Sequence, residues 1–464
     1  MEFAEENLSN EAATALDMAT NGCMVLRHRT MRLQVLLESG VSGGKSPQFN
    51  NLSIISGCAV IKATEDESIE LIKERLKAGG ASHRVIITGC LPKINSARLY
   101  QEFDDRVQIV TELEDVPKFL GIKVPLGMTL QSVAVPDHLF DHSHGDPLMD
   151  KGDPESELER GFERLAGMVS DPWIEEFYRY QTKGRHFWRE PRLREVLVTE
   201  GCDYKCSFCA TKFAIGNTRS RPFEQIISEI RTAHSEGVEK IVLQGDEVGN
   251  YRSSGKTLED VVYAFRSLRT GTSRSRLALR YIHPSPLIRF GKWLEESFES
   301  GDAYFVCCAL QTGNQQIGKA MRRSFSIKAA ADRLANLRSK NPRAYIHTQL
   351  IAGYPGETDA QFEDTLALVR DYEFDYISYA QFDARPGTVA AALDCQIPQD
   401  VAKERFDRLA YAVENVRIKR LKQHARAALL RSGSDWTQGM DLDPLHIVRL
   451  MGSAHPTDAA QQQF

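Results

Sequence analysis

The sequence predicts an α/β fold in two parts. An N-terminal α/β unit of Rossmann-like form comes first, followed by a partial barrel of six βα units. Three observations predict this. From Arg194 onwards, apolar runs alternate six times with helix-length amphipathic segments. Near the N-terminus, two short apolar runs flank a helical segment and stand apart from that series. At 464 residues, finally, the chain is too long for one ordinary core.

Taken in order, the opening MEFAEENLSNEAATALDMATNGC is acidic and has no apolar core, so it does not read as a secretory signal or transit peptide. From about Gly22 to Leu130 the runs NLSIISGC and SHRVIITGC read as strands, with DESIELIKERLKAGG as the helix between them. The polar stretch VAVPDHLFDHSHGDPLMDKGDPESELERG reads as a linker that runs into a helical segment, FERLAGMVSDPWIEEFYRYQ, able to cover a cleft. His138, His142 and His144 in this linker are candidate ligands, but nothing fixes their geometry, and a solvated linker explains them more simply.

The barrel runs are REVLVTE, KIVLQGDEVG, LALRYIHP, YFVCCALQTG, YIHTQLIAGYPG and FDYISYAQFDARPG. Their composition suits strands buried on both faces. Segments such as RPFEQIISEIRTAHSEG and DAQFEDTLALVRDYE, apolar at three- and four-residue steps, supply the crossovers. Six units are fewer than the eight that close a barrel, and chemistry in such sheets collects at the C-terminal strand ends. The expected domains are thus 1–130 (α/β), 131–190 (linker with a helical segment), 191–395 (partial barrel) and 396–464 (helical tail).

Composition bounds the setting. A 42% hydrophobic and 26% charged chain is soluble and globular, and a net charge of −5 gives no general pull towards nucleic acid or anionic membrane. No run approaches the roughly 20 apolar residues of a membrane span. A cytoplasmic setting follows, where the nine cysteines stay reduced. Reduced and clustered cysteines point to metal rather than to bridges.

Cys202, Cys206 and Cys209 form a CxxxCxxC loop after the first barrel strand. Three thiolates converging on an iron–sulfur cube leave one iron open to a substrate or cofactor. Part of a zinc site is the alternative, with only His234 nearby as a fourth ligand. A second triplet, Cys23, Cys58 and Cys90, is preceded each time by glycine. Two of its members end strand-like runs, which would bring them to one edge of a parallel sheet. Each alone would pass for a buried cysteine, whereas three in one small unit suggest a second open-coordination cluster.

CDYKCSFC resembles the cluster loop of the radical S-adenosyl-L-methionine (SAM) superfamily, including the aromatic Phe208 before the last cysteine. The resemblance implies a 4Fe–4S cluster whose open iron chelates SAM, and a one-electron cleavage to a 5′-deoxyadenosyl radical. It also implies SAM contacts at Gly245, Asp246 and Glu247 after the second strand, Gln311 and Gly313 after the fourth, and Ile351 and Gly353 at the fifth. Tight-turn geometry is the competing role for Gly353 and Gly356, and helix capping for Asp246 and Glu247.

From about residue 20 to 424 the chain is similar to the methylthiotransferase family of that superfamily, through GCMVLRHRTMRLQVLLESG, IITGCLPK, GNTRSRPFEQIISEI, LQTGNQQIGKAMRRSFS, LIAGYPGETDAQFEDTL and ARPGTVAA. This implies that Cys23, Cys58 and Cys90 hold an auxiliary 4Fe–4S cluster, whose open iron carries the sulfur that ends on the substrate. It also implies a one-electron donor such as flavodoxin or ferredoxin. Cys307, Cys308 and Cys395 match no ligand of the family, and burial accounts for the first two.

The sequence departs from the family in ways that bear on substrate. After the basic helix ENVRIKRLKQHARAALLRS, the remaining residues are too few for the usual RNA-binding barrel. In that helix Arg417, Lys419, Arg420, Lys422 and Arg426 would touch phosphates or form a solvated face, the latter favoured. Ile215 stands where the family commonly has arginine, and Gln349 where it has aspartate, while Arg219 and Arg221 remain to hold an anionic substrate or the SAM carboxylate.

The expectation is a two-cluster radical SAM enzyme that forms C–S bonds on a small molecule, such as a phosphorylated nucleoside or sugar of specialised metabolism. Methylthio transfer to tRNA or a protein side chain is the alternative, with tRNA the less favoured partner. A non-catalytic iron–sulfur or zinc sensor is the alternative of another class.

Overall fold

A computed structural model of the chain describes residues 14–41, 45–133, 135, 193–269 and 275–431. The linker histidines, the helical segment expected within 162–181 and the residues beyond 431 lie outside these. The chain divides into two compact units. The first comprises the described part of Met1–Phe140 together with Glu200–Asn217 and Asp383–Ala392. The second comprises the described parts of Asp141–Thr199, Thr218–Phe382 and Leu393–Phe464.

The first unit is built on four parallel strands: β1 (Asp17–Thr20), β2 (Leu52–Gly57), β3 (Arg84–Gly89) and β4 (Val107–Ile109), side by side in that order. Helices α1 (Met24–Ser39), α2 (Lys62–Gly79) and α3 (Leu91–Glu102) make the crossovers. Every residue of β2 is buried, as a strand covered on both faces requires. The two strands expected from the sequence are β2 and β3. The outer two were not legible: β1 and β4 are four and three residues long, and their partial exposure gives no apolar run.

In the second unit six parallel strands stand in sequence order: β5 (Leu193–Leu197), β6 (Lys240–Gln244), β7 (Arg276–Leu279), β8 (Ala303–Cys307), β9 (Tyr345–Ala352) and β10 (Tyr376–Gln381). All six expected runs form strands. With α4 (Thr211–Ile215) belonging to the first unit, the crossovers here include α5 (Phe223–Ser235), α6 (Leu258–Leu268), α7 (Trp293–Glu299), α8 (Ile327–Lys340) and α9 (Asp359–Tyr372). Alternation along the strands divides two environments. Ile241, Leu243, Ile346 and Leu350 join the apolar core with the helices, while Val242, Gln244, His347 and Gln349 face the other way. A long helix, α10 (Gln399–Arg431), ends the described chain. Among the described residues no helix is long and apolar enough to cross a membrane.

Candidate active site

The second cysteine triplet sits on one edge of the four-stranded sheet. Cys23 is the N-cap of α1, just after β1; Cys58 follows β2; and Cys90 follows β3 and caps α3. Because β1, β2 and β3 are neighbours and parallel, the three loops leave the same end of the sheet. Hydrogen bonds then tie them together. The Cys90 amide donates to the Gly57 carbonyl at 2.9 Å. The Cys58 amide donates to Asn21 Oδ1 at 3.0 Å, and Asn21 Nδ2 donates to the Thr64 carbonyl at 2.7 Å. Ser68 Oγ lies 2.8 Å from both Asn21 Oδ1 and the Cys58 carbonyl. Asn21 and Ser68 were not singled out from the sequence. The signal was the Asn immediately before the first Gly-Cys, whose side chain can bond a neighbouring backbone.

The CxxxCxxC loop belongs to the same unit. Its Cys202 amide donates to the Gly216 carbonyl at 3.0 Å, and the Cys209 amide to the Cys206 carbonyl at 3.2 Å. The short helix α4 then buries Ala214 and Ile215. One apolar cluster contains Cys58, Cys90, Ala210, Ala214 and Ile215, with Cys202 packed against it. Ile215 is therefore a core residue, and an arginine there would need a buried partner. The loop is anchored from behind: Glu200 takes Arg32 Nη1 at 3.3 Å and Arg29 Nε at 3.6 Å, both arginines on the helix that Cys23 caps. Burial pushes the Cys209 thiol above its ordinary range, where only a bound metal or other cation would favour the thiolate.

Among the described residues, no three His, Cys, Asp or Glu side chains converge as they stand on a metal position. The donor chemistry nonetheless fits two clusters. Each triplet offers three soft sulfur ligands, and none of the nine cysteines is bridged.

In the second unit, the expected SAM contacts all lie at or after C-terminal ends of strands. Gly245, Asp246 and Glu247 follow β6, Gln311 and Gly313 follow β8, and Ile351 and Gly353 close β9. Their roles divide. A methyl group on Gly245 would lie 1.9 Å from Thr199 Oγ1, so close strand approach demands glycine there. The Glu247 carboxylate accepts from the amides of Gly249 (2.9 Å), Asn250 (2.8 Å) and His283 (3.0 Å), which makes it the builder of this turn. Asp246 is half-buried beside it. Gln311 takes a left-handed φ of 72° while its backbone bridges to β9, a strained position of the kind found at binding sites. Ile351 is a half-buried apolar side chain on the face away from the helices. An acidic group, an amide and an apolar surface at the same end of the six-stranded sheet suit the ammonium, polar and ring portions of SAM. Arg219 is exposed, whereas Arg221 is buried, donating to the Leu197 carbonyl at 2.7 Å and to Glu229 at 2.6 Å. Phe208 is half-buried in the first unit.

Burial pushes the Cys307 thiol up to about 12 and Cys308 well above its ordinary value, so both stay protonated. Burial likewise brings His347 down to about 3, and its neutral ring lies 2.9 Å from Ser378 Oγ. On α10, Arg420 is spent on Asp375 and Lys419 on Glu373. The side chains of Arg417, Lys422 and Arg426 lie outside the described ones. A groove of about 900 Å³ between α9 and α10 is lined by Arg370, Lys403, Tyr411 and their neighbours, none of them at a strand end.

Residues 196–369 match the radical SAM superfamily, and residues 15–111 match a family described as uncharacterized protein family UPF0004. The chain is 27% identical over 381 residues to the ribosomal protein uS12 methylthiotransferase RimO of Nostoc sp., covering 81% of this chain and 76% of that one. It is 31% identical over 264 residues to a tRNA-2-methylthio-N(6)-dimethylallyladenosine synthase of Acinetobacter baumannii, covering 54% of this chain and 52% of that one, so it spans about half that relative's length. A probable threonylcarbamoyladenosine tRNA methylthiotransferase of Pyrococcus abyssi is 27% identical over 361 residues, 77% of this chain and 74% of that one. Among solved structures, the radical SAM methyltransferase TsrM from Kitasatospora setae superposes with a TM-score of 0.45 at 12% identity, covering 81% of this chain and 77% of that one.

Parallel strands, the cysteine loop and the matched residues define a radical SAM enzyme. Its N-terminal unit and its relatives narrow that further: together they support a member of the radical SAM methylthiotransferase family. The cofactors of that family are SAM and two 4Fe–4S clusters.

Proposed function

We propose that this enzyme transfers a methylthio group to a macromolecule of the translation apparatus, either tRNA or a ribosomal protein. The observation that carries the reading is the grouping of both cysteine triplets in one compact unit, with Cys58 and Cys90 in one apolar cluster and Cys202 packed against it. Sulfur transfer requires the sulfur source and the radical source to be held as neighbours, because positioning replaces an improbable encounter between separate reactants. When bound, the clusters and SAM supply the one-electron cleavage of the sulfonium and the sulfur that ends on the substrate carbon. Cys202, Cys206 and Cys209 would hold the cluster that binds SAM, and Cys23, Cys58 and Cys90 the auxiliary one. Asp246, Gln311 and Ile351 would orient SAM, Glu247 and Arg221 would shape its surroundings, and Arg219 would contact an anionic group. A flavodoxin or ferredoxin would deliver the electron.

The choice of a macromolecule departs from the small-molecule expectation. That expectation leaned partly on Ile215 as an altered pocket charge, and Ile215 belongs to an apolar core. The relatives named above act on tRNA or on ribosomal protein uS12. Gln349, half-buried on the face away from the helices, is a feature that still favours a different substrate.

The test starts without substrate. Anaerobically reconstituted protein is mixed with SAM in the absence of reductant, and S-adenosylhomocysteine is quantified before dithionite is added. A stoichiometric burst reports methyl transfer to a sulfur nucleophile held by the protein, as the proposal expects. No burst, followed by deoxyadenosine after reduction, would point to bare sulfur insertion instead. Total tRNA, uS12 and phosphorylated nucleosides are then compared for methylthio incorporation. Incorporation into nucleosides alone would overturn the macromolecular reading, and tRNA binding that weakens steeply with salt would favour the nucleic acid.

A further inference from the structure

The C-terminal helix α10 reaches back to the end of β9 within the second unit. Arg405 on that helix donates from Nη1 to the Glu357 carbonyl at 2.8 Å, contacts Glu357 Oε2 at 3.3 Å, and pairs through Nη2 with Asp359 at 2.7 Å. Glu357 in turn accepts from the Gly353 amide at 3.0 Å. Both ends of this chain of contacts are dry, since the side chains of Arg405 and Glu357 are 5% and 0% exposed.

Two further contacts close the same turn. Gly353 has a φ of 78°, and a methyl group on it would meet Ala402 Cβ of α10 at 3.1 Å. The Gly356 amide donates to the Cys395 carbonyl at 2.8 Å, just before the helix begins. Thus the turn Gly353–Glu357 is held from one side by residues 395–405, and the shape of its left-handed backbone depends on them. The sequence favours a solvated face for the basic residues further along α10, whereas Arg405 on the same helix is buried and serves the strand end.

We propose that Arg405 is a positioning residue for the SAM site, fixing the turn Gly353–Glu357 in the form that receives the cofactor. This rests on the reading above that Ile351 and Gly353 contact SAM. Arg405 acts through Glu357, and does not itself touch the cofactor. Its forked guanidinium serves two acceptors on one turn and a third beside it, a geometry that lysine's single point charge cannot reproduce.

The test uses the full chain with reconstituted clusters and reads SAM binding rather than turnover. Equilibrium dialysis gives the SAM dissociation constant, and electron paramagnetic resonance of the reduced protein gives the spectral change that SAM induces. For R405M we expect a dissociation constant raised roughly tenfold or more, as loss of a charged hydrogen bond implies, with iron content unchanged. R405K should recover only part of the affinity, and D359N should weaken binding less than R405M. K403A, which alters an exposed pair with Asp407 on the same helix, should bind as the wild type does. If R405M does not fold, R405K and D359N decide, and wild-type affinity in both would overturn the proposal. Wild-type affinity in a folded R405M would overturn it as well. A wild-type protein that neither binds SAM nor changes its spectrum would instead sink the underlying SAM assignment.

Discussion

At Gly245 the backbone of β6 passes so near Thr199 that even a methyl group has no room. G245A should therefore destabilise the protein by about 1–3 kcal/mol, the usual cost of overpacking, read as a lowered denaturation midpoint. Gly291 is the useful contrast: an added methyl there finds its nearest neighbour, Trp293, at 3.4 Å. G291A should be neutral or stabilise slightly, because alanine restricts the unfolded chain. Residue by residue, the cysteines and the strand-end motif were readable because their chemistry is encoded in spacing. Asn21, Ser68 and Arg405 were not, since each has a hydrogen-bond partner between 37 and 48 positions away. Glu247 and Arg221 were named from the sequence as candidates, but their hydrogen bonds to backbone are visible only in the fold.

Elements are joined by a few buried charges, and the link between α2 and the segment Asp383–Ala392 in the first unit is the clearest. Glu65 pairs there with Arg385, and its Oε1 also takes Arg98 at 2.9 Å and Asn95 at 2.8 Å. Burial pushes the Glu65 carboxyl up, but the hydrogen bonds from Arg385, Arg98 and Asn95 outweigh it and hold the group below its ordinary 4.5. A depressed carboxyl contributes stability that is complete above the unfolded value and is lost as pH falls through the folded one. E65Q should cost about 3–5 kcal/mol at neutral pH, because Arg385 is left buried without its partner. The gap between wild type and E65Q should narrow as pH drops below 4.5, measured by urea denaturation across a pH series. A gap constant with pH would show that the loss comes from packing alone. The six barrel strands were legible because each carries its apolar run into a sheet covered by helices. The short edge strands β1 and β4 were not, because partial exposure removes that pattern.

For the whole molecule, the informative quantity is how iron is shared between the two triplets. Three cysteines follow three neighbouring strands of one sheet, and three more lie in a loop that enters the same apolar cluster. If each triplet binds its own cube, reconstituted wild type should hold about eight irons per chain, and a triple alanine variant of either triplet about four. The two variants should then separate in chemistry. With Cys23, Cys58 and Cys90 replaced, reduction should still cleave SAM to deoxyadenosine, but no sulfur should reach substrate. With Cys202, Cys206 and Cys209 replaced, cleavage should stop. The shared core adds a finer expectation, because Cys202 packs against the apolar cluster to which Cys58 and Cys90 belong. Emptying the auxiliary position should alter the resonance spectrum of the remaining cluster, through changed packing and charge beside it. Unaltered spectra together with four irons in each variant would mean that the two positions are electronically independent. A wild type with only about four irons, all lost when Cys202 is replaced, would remove the sulfur source and with it the methylthiotransferase chemistry.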